Sequence, residues 1–361
     1  MDFSEFSSDW EYILSLLPQD WRNKFNELQV LKFGRKFNGP DKEALFLRIM
    51  LMHLACGYSF RMTAAQAKSN KLIDVTDVTL FHHFEKCKEF FEWCNEQLLK
   101  DNRRNFHDLF SSGRTWKAVD GTVVKEQGCT GSLYRVHYSV YLDTLSADQF
   151  LITNSKIGES LARFQVTPGD VIVADRGFSK APGIFHVTEN GGDVLCRYAP
   201  SYLKLKTPNN KPLQLKTMLE SLREGEIGDQ EVSFEHEEKV VAGRICAVKR
   251  QQASIEVERK HIIRSAQLKG RKPSEETLFW CNYLLVFTTL KQSEISAQNV
   301  LRAYRLRWQI EVVFKRLKSL LELGQLHKHN DNSIKTFLAG KLLIALLIEK
   351  MISQAEDFSP F

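Results

Sequence analysis

The chain has 361 residues, 26% of them charged and 43% hydrophobic, which excludes a disordered or fibrous protein and leaves room for two or three domains around a substantial core. A net charge of +6 suits a polyanionic partner without establishing one. Seven scattered cysteines, at 56, 87, 94, 129, 196, 246 and 281, form no CxxC pair, which argues against a zinc site or a disulfide framework and for a reducing cytoplasm.

Residues 1–109 are expected to be all-helical. The opening MDFSEFSSDW is acidic and lacks the basic start of a secretory signal. Apolar positions recur at helical spacing in WEYILSLL and ALFLRIMLMHLACGYS, with Gly39 and Pro40 between them. The most apolar stretches, 44–56 and 342–348, are short and carry or adjoin charges such as Arg48 and Lys341, so buried helices are expected and no membrane span. Two or three shorter helices follow in 59–99: SFRMTAAQAKS, a turn near Asn70, then TDVTLFHHFEKCKEFFEW, capped by Thr76 or Asp77. The pattern fits a helix-turn-helix offering Thr79, His82, His83 and Lys86 to DNA, and equally a plain helical bundle.

Strands dominate 110–200. In WKAVDGTVV, Trp116, Ala118 and Val119 lead to Asp120, expected at a strand end with Gly121 turning the chain away. LYRVHYSVYLD alternates Tyr134, Val136, Tyr138 and Val140 with Arg135, His137 and Ser139, the pattern of a second strand with one face buried. ADQFLITNS reads as a third strand, ESLARFQV as a helix, DVIVADRGF as a fourth strand ending in Asp175, and GGDVLCRYAP as a fifth. An aspartate leaving a buried strand lies where open α/β sheets place their chemistry, although each aspartate alone is also ordinary turn chemistry.

Asp175 and the next acidic candidate, Glu311, are 136 residues apart, more than one connection in a compact core needs, so an insertion is expected at 201–290. It holds strand-like runs, QEVSFEHEEKVVAGRICAVKR and FWCNYLLVFTTL, around a basic segment whose Lys260, Arg264, Lys269, Arg271 and Lys272 could follow a DNA backbone or form a solvated face. Then comes YRLRWQIEVVFKRLK. Tyr304, Arg307, Glu311 and Lys318, at spacings of three, four and seven, fall within about 60° of arc on one helix, opposite Leu306, Ile310, Val313, Leu317 and Leu320. Cations dominate here: Arg302, Arg305, Arg307, Lys315, Arg316, Lys318 and Lys328 against Glu311 and Glu322. Glu311 with Lys315 or Lys318 could also be a plain surface ion pair. His82, His83, His327 and His329 lack metal-ligand spacing, and no phosphate-cradling GxxxxGK[ST] or GxGxxG segment occurs. Three carboxylates could instead hold a pair of divalent cations, and hard oxygen donors favour Mg²⁺ or Mn²⁺.

The four-residue signature, with the DGT and DRGF segments, resembles the IS4-type DDE transposases of bacterial insertion sequences over roughly residues 110–350. The resemblance implies an α/β fold with a ribonuclease H-like mixed-sheet core at 110–200 and 291–361. An all-helical DNA-binding domain at 1–109 and a β-rich insertion at 201–290, before the last catalytic helix, complete it. Asp120 and Asp175 would sit on neighbouring first and fourth strands and, with Glu311, bind two Mg²⁺ or Mn²⁺ ions. Tyr304, Arg307 and Lys318 would contact transposon-end phosphates, with Arg176 beside them, and Tyr283 or Trp280 would stack on a flipped base. The implied activity is cleavage at transposon ends and joining to target DNA, by a homodimer in the cytoplasm. Larger relatives pair subunits through a C-terminal segment, whereas this sequence runs to Phe361. Two alternatives stand beside it: a ribonuclease H-like nuclease without strand transfer, and a non-catalytic DNA-binding descendant.

Overall fold

Among the described residues six helices precede the sheet: α1 (Asp9–Ser15), α2 (Trp21–Glu27), α3 (Lys42–Ala55), α4 (Phe60–Ser69), α5 (Asp77–Glu85) and α6 (Lys88–Asn102). The computed structural model describes residues 9–32, 36–102, 113–126, 134–268, 270–320, 325–326 and 330–356. Cys129, Lys269, Glu322, His327, Lys328 and His329 lie outside the described residues, as do the side chains of Arg316 and Leu320. Hydroxyl caps start two of these helices: Ser59 Oγ accepts from Met62 N–H and Thr76 Oγ1 from Thr79 N–H, each at 3.2 Å. The C-terminal helix α13 (Asp331–Glu356) packs onto α3, α5 and α6. Close approach is possible because α13 carries Gly340, where an added Cβ would stand 2.5 Å from Leu54 Cδ1 and 3.2 Å from Phe91 Cε2. Asn95 Nδ2 donates to Ala339 O across the same contact at 2.9 Å.

The sheet is built from β1 (Thr115–Glu126), β2 (Tyr134–Tyr141), β3 (Ala147–Asn154), β4 (Asp170–Ala174), β5 (Asp193–Arg197), β6 (Ile227–His236), β7 (Lys239–Lys249) and β8 (Tyr283–Thr288), in spatial order β3-β2-β1-β4-β5-β8-β7-β6. The short β9 (Gln325–Leu326) adds to the far end of β1. β1 to β3 are antiparallel, whereas β4 runs parallel to both β1 and β5. That order and those directions are ribonuclease H-like. α7 (Ala181–Glu189) connects β4 to β5.

Segment 201–290 does not stand apart from this sheet: β8 hydrogen-bonds to β5, and β7 and β6 continue outward from β8. The β6–β7 hairpin turns on Glu237 and Glu238, at φ 48° and 62°, the positive pair that a two-residue hairpin needs. Helices α8 (Leu215–Glu220), α9 (Gln252–Gln267) and α10 (Glu275–Trp280) complete the segment. Buried Arg244 of β7 ties it to the chain beyond β8, pairing with Asp229 at 2.5 Å and donating to Leu290 O and Ile295 O.

Side chains alternate across the sheet, with an irregularity where the β2–β3 register shifts at Ser139/Val140. In β4, Val171 and Val173 join one apolar cluster with the N-terminal helices and α13, while Ile172 and Ala174 join a second with α7 and α8. Two expectations fail here. β2 was expected to bury one face, yet His137 and Ser139 are buried too, because β3 supplies polar partners: His137 Nε2 lies 2.8 Å from Thr153 Oγ1 and Ser139 Oγ 3.0 Å from Asp148 Oδ2. ESLARFQV makes only one 3-10 turn, Leu161–Arg163. Gln149 on β3 binds both the N–H and the C=O of Gln165, at 2.7 Å each, taking backbone groups that a helix would have used.

Beneath β1 the buried Lys117 Nζ lies 2.9 Å from Asp170 and 3.2 Å from Asp148, with the Tyr141 ring beside it. Thr167 adds two further hydrogen bonds to Asp170. Among the described residues no helix is long and apolar enough to cross a membrane. Removing the cation would strand two buried carboxylates. Lys117→Met is therefore expected to destabilise the fold by about 3–5 kcal/mol, measured by urea denaturation, whereas a loss under about 1 kcal/mol would show that the network contributes little.

Candidate active site

The parallel register of β1 with β4 ends at Val119↔Ala174, and the next residue on each strand is an aspartate. Asp120 and Asp175 are thereby brought together across neighbouring strands. Asp120 is not at a strand end, because β1 runs on to Glu126 and pairs Asp120 with Tyr138 of β2. Nor do Gly121 and Gly177 serve as turn glycines, since neither has a positive φ. Both are small because a carboxylate sits against them. A Cβ on Gly121 would stand 2.9 Å from Glu159 Oε1, and one on Gly177 3.1 Å from Glu159 Oε2. Glu159 is paired with Arg135 Nη1 at 2.6 Å. Sequence periodicity gave no hint of Glu159, which lies in the loop after β3, because the glycines one and two places after the aspartates read as turn residues.

Burial pushes the Asp120 carboxyl up to about 6, opposed by the Gly121 N–H, which donates to Asp120 Oδ1 at 2.7 Å. Glu159 and Asp175 push it the same way as burial, and Arg307 pulls against them.

The signature stretch is not one helix. It divides into α11 (Ala297–Leu306) and α12 (Trp308–Leu320) at Arg307, whose N–H reaches Tyr304 O and whose C=O accepts from Ile310 N–H, both three-residue steps tighter than an α-turn. The break re-aims the apolar stripe: α11 buries Val300, Leu301, Ala303 and Tyr304 over β5, β8 and β7, while α12 buries Ile310, Val313, Phe314 and Leu317 near β1. Across the break the signature side chains still meet: the Arg307 guanidinium lies 5.9 Å over the Tyr304 ring and 2.7 Å from Glu311, and Glu311 and Lys318 line one cleft. Tyr304, 8% exposed, donates its hydroxyl to Asp175 Oδ1 at 3.3 Å, so it backs Asp175 rather than facing an incoming phosphate. Arg307 Nη2 lies 2.7 Å from Glu311 Oε1 and within electrostatic reach of both aspartates, a cation set among three acids. Asp120, Gly121, Thr122, Glu311, Phe314, Lys315 and Lys318 line one open cleft, in which the Glu311 side chain is 58% exposed.

Among the described residues no three His, Cys, Asp or Glu side chains stand together as a ready metal cage. The donor chemistry nevertheless fits a hard divalent cation: Asp120 and Asp175 adjoin, Glu311 lines the same cleft as Asp120, and the cost of ionising Asp120, set by burial first and by the neighbouring acids second, is what such a cation would relieve.

Other candidates divide by exposure. Arg176 is exposed on the turn after Asp175, as are Lys260, Arg264, Arg271 and Lys272 around α9. Tyr283 is 4% exposed on β8 with its ring 5.4 Å from that of Phe279, so it does not offer the free face that base stacking needs, whereas Trp280 is half-buried and meets the Phe279 ring edge-to-face at 5.2 Å. Burial in the second core is the reason for that correction. The exposed aromatic of the signature is Trp308, at 56%. In the N-terminal helices His82 and Lys86 are exposed, but His83 is buried with Nδ1 2.9 Å from Val30 O, and burial draws its pKa down.

The raised Asp120 makes stability depend on pH in a stated direction. An acid whose folded pKa, about 6, exceeds its ordinary 3.8 carries no penalty below the lower value, a growing one between the two, and a full one above the higher. In metal-free buffer Asp120→Asn is expected to stabilise the fold by about 2–3 kcal/mol at about pH 7.5 and by about 1 kcal/mol at about pH 4.5 in urea titrations. Equal effects at both pH values would contradict the assigned shift.

The transposase DDE domain family matches residues 153–348, a span that contains Asp175 and Glu311 and begins after Asp120. The chain is 30% identical over 323 residues to the putative transposase InsL for insertion sequence element IS186A of Escherichia coli (strain K12), covering 88% of this chain and 87% of that one. It is also 30% identical over 324 residues to the transposase for insertion sequence element IS421 of Escherichia coli, with the same coverage. The transposase for insertion sequence element IS231F of Bacillus thuringiensis subsp. israelensis is 23% identical over 195 residues, half of this chain and 41% of that one. Among solved structures, a piggyBac transposase synaptic complex with hairpin DNA superposes at a TM-score of 0.45 with 7% identity, over 95% of this chain and 74% of that one. With a family match over more than half its length and relatives of this identity along nearly all of it, the chain belongs to the DDE transposases.

Proposed function

We propose that this transposase cuts the ends of an IS4-type insertion sequence and joins them to target DNA, with Asp120, Asp175 and Glu311 as its catalytic acids. What supports the reading most is the β1–β4 register, which brings Asp120 beside Asp175 while Asp120 and Glu311 line one cleft. These three residues would hold two Mg²⁺ or Mn²⁺ ions, which supply Lewis-acid stabilisation of the attacking and departing oxygens. Water opens one phosphodiester at each end and leaves a 3′-hydroxyl; that hydroxyl then attacks the opposite strand or target DNA.

The chain's own residues position this chemistry. Tyr304 fixes the Asp175 carboxylate through its hydroxyl. Lys315 and Lys318, on the cleft wall, and exposed Arg176 meet phosphates, and Arg307 takes up phosphate charge once Glu311 turns to the ions. Trp308 offers the ring on which an unpaired base can stack. Helices α1 to α6 and the basic surface of α9 carry the DNA outside the cleft, in a homodimer working in the bacterial cytoplasm.

Purified protein with Mg²⁺ and DNA carrying the element's end is expected to give nicks and then joined or hairpin products on a denaturing gel. Asp120→Asn, Asp175→Asn and Glu311→Gln should each abolish cleavage and leave end binding in place. A wild-type cutting rate in any of the three removes that residue from the mechanism, and nicks that never proceed to strand transfer would favour a plain nuclease.

A further inference from the structure

The row of residues that puts Asp120 beside Asp175 continues one strand further. β4 pairs with β5 up to Ala174↔Cys196, and the residue after Cys196 is Arg197. Val119, Ala174 and Cys196 all belong to the cluster under α7, so Asp120, Asp175 and Arg197 project from the opposite face, the one that α11 covers. Beyond Arg197 that row is apolar, with Val286 on β8 and Cys246 on β7. Arg197 is half-buried there, within electrostatic reach of the Tyr304 hydroxyl that holds Asp175.

Glu258 of α9 reaches back to it. Glu258 Oε1 lies 3.7 Å from Arg197 Nη2, and Oε2 lies 3.5 Å from Nη1 of Arg250, the residue that follows β7. One carboxylate thus offers an oxygen to each of two arginines, as a phosphodiester would with its two non-bridging oxygens. Both contacts exceed the roughly 3.2 Å limit of a good N–H···O bond, whereas Arg135–Glu159 and Arg307–Glu311 close to 2.6 and 2.7 Å. The pair of arginines therefore keeps a loosely held anion and a net positive charge. α9 does not depend on Glu258 for its place. Ile255 is buried, and Asn282 accepts the Arg250 N–H on its carbonyl at 2.9 Å and Arg259 Nη2 on its side-chain oxygen at 3.1 Å.

We propose that Arg197 and Arg250 form a phosphate site for the DNA strand that passes Asp175, and that the Glu258 carboxylate occupies it until a backbone phosphate takes its place. This rests on the reading of Asp120 and Asp175 as the acids of cleavage. The strand on the β5 side of the cut then runs from Asp175 over Arg197 towards α9, where Lys260 and Arg264 are exposed. Exchange of one anion for another leaves neither arginine uncompensated.

The test is the affinity of the full-length protein for a fluorescein-labelled duplex carrying the element's end, read by anisotropy in EDTA over a range of KCl. Glu258→Gln removes the competing anion and is expected to tighten binding roughly tenfold, while Glu256→Gln, the same charge change on the exposed surface of α9, alters it less than about twofold. Arg197→Gln and Arg250→Gln should each lower the slope of log affinity against log salt by about one. With both arginines replaced, the gain from Glu258→Gln disappears. Arg250→Gln alone carries this arm if Arg197→Gln does not fold. Equal gains from Glu258→Gln and Glu256→Gln would show a general charge effect and overturn the site. Weaker binding in Glu258→Gln would make Glu258 a structural clamp and overturn it as well. Cleavage of the same duplex by the wild type in Mg²⁺ separates this proposal from the reading beneath it. Slopes that fall as expected without any cleavage would bring down the catalytic acids and leave the phosphate site, and cleavage with unchanged slopes would do the reverse.

Discussion

The register of five residue pairs between β1 and β4 decides where the acids of this molecule meet. It is fixed by packing on both faces of the sheet. Val171 and Val173 must reach the cluster shared with the helical layer while Ile172 and Ala174 reach the cluster under α7, and a slip of one residue would exchange every one of them. Val119 and Ala174, the last apolar pair, are fully buried. The two aspartates that come next are thus positioned by hydrophobic burial beneath them. Nothing in the pair itself attracts; two carboxylates brought together by apolar neighbours repel, and the fold bears that cost.

The arrangement of cations reflects the same repulsion. Arg135 approaches from β2 and Arg307 from the junction of α11 and α12, so that acids converging on the end of β4 are met from two sides. Tyr304 is buried with its hydroxyl on Asp175, Glu311 stands on the open cleft, and the Arg307 guanidinium lies between them. Natural sites often concentrate conflicts of this kind where function needs them and compensate elsewhere, and the well-satisfied Lys117–Asp170–Asp148 network under the opposite side of β1 is such a reserve.

Much of this was legible in the sequence, and the reason is locality. Strand periodicity located β1, β2, β4 and β5, and the spacing of Tyr304, Arg307, Glu311 and Lys318 marked the stretch that closes over them. What escaped depended on distant partners. The α11–α12 break is invisible because the apolar spacing continues through Arg307. ESLARFQV has helical composition, and its backbone groups go to distant side chains instead: Gln165 to Gln149, sixteen residues earlier, and Phe164 O to His186. His83 and Tyr283 looked available until Val30 and Phe279 were brought against them. The Glu237-Glu238 turn breaks the usual Asn-Gly chemistry and is imposed by the pairing of β6 with β7. Glu159 has no periodic neighbours, so only its contact with two glycines reveals it.

The packing of α13 on α3, α5 and α6 has a consequence for biosynthesis. Helices α3, α5 and α6 leave the ribosome well before the surface they close upon, since the Asn95–Ala339 contact spans 244 residues. Leu54 and Phe91 must wait for Gly340. The N-terminal layer therefore closes only once the strands between have been made and can pack beneath it, so that a chain cut short before α13 would carry an unfinished helical layer.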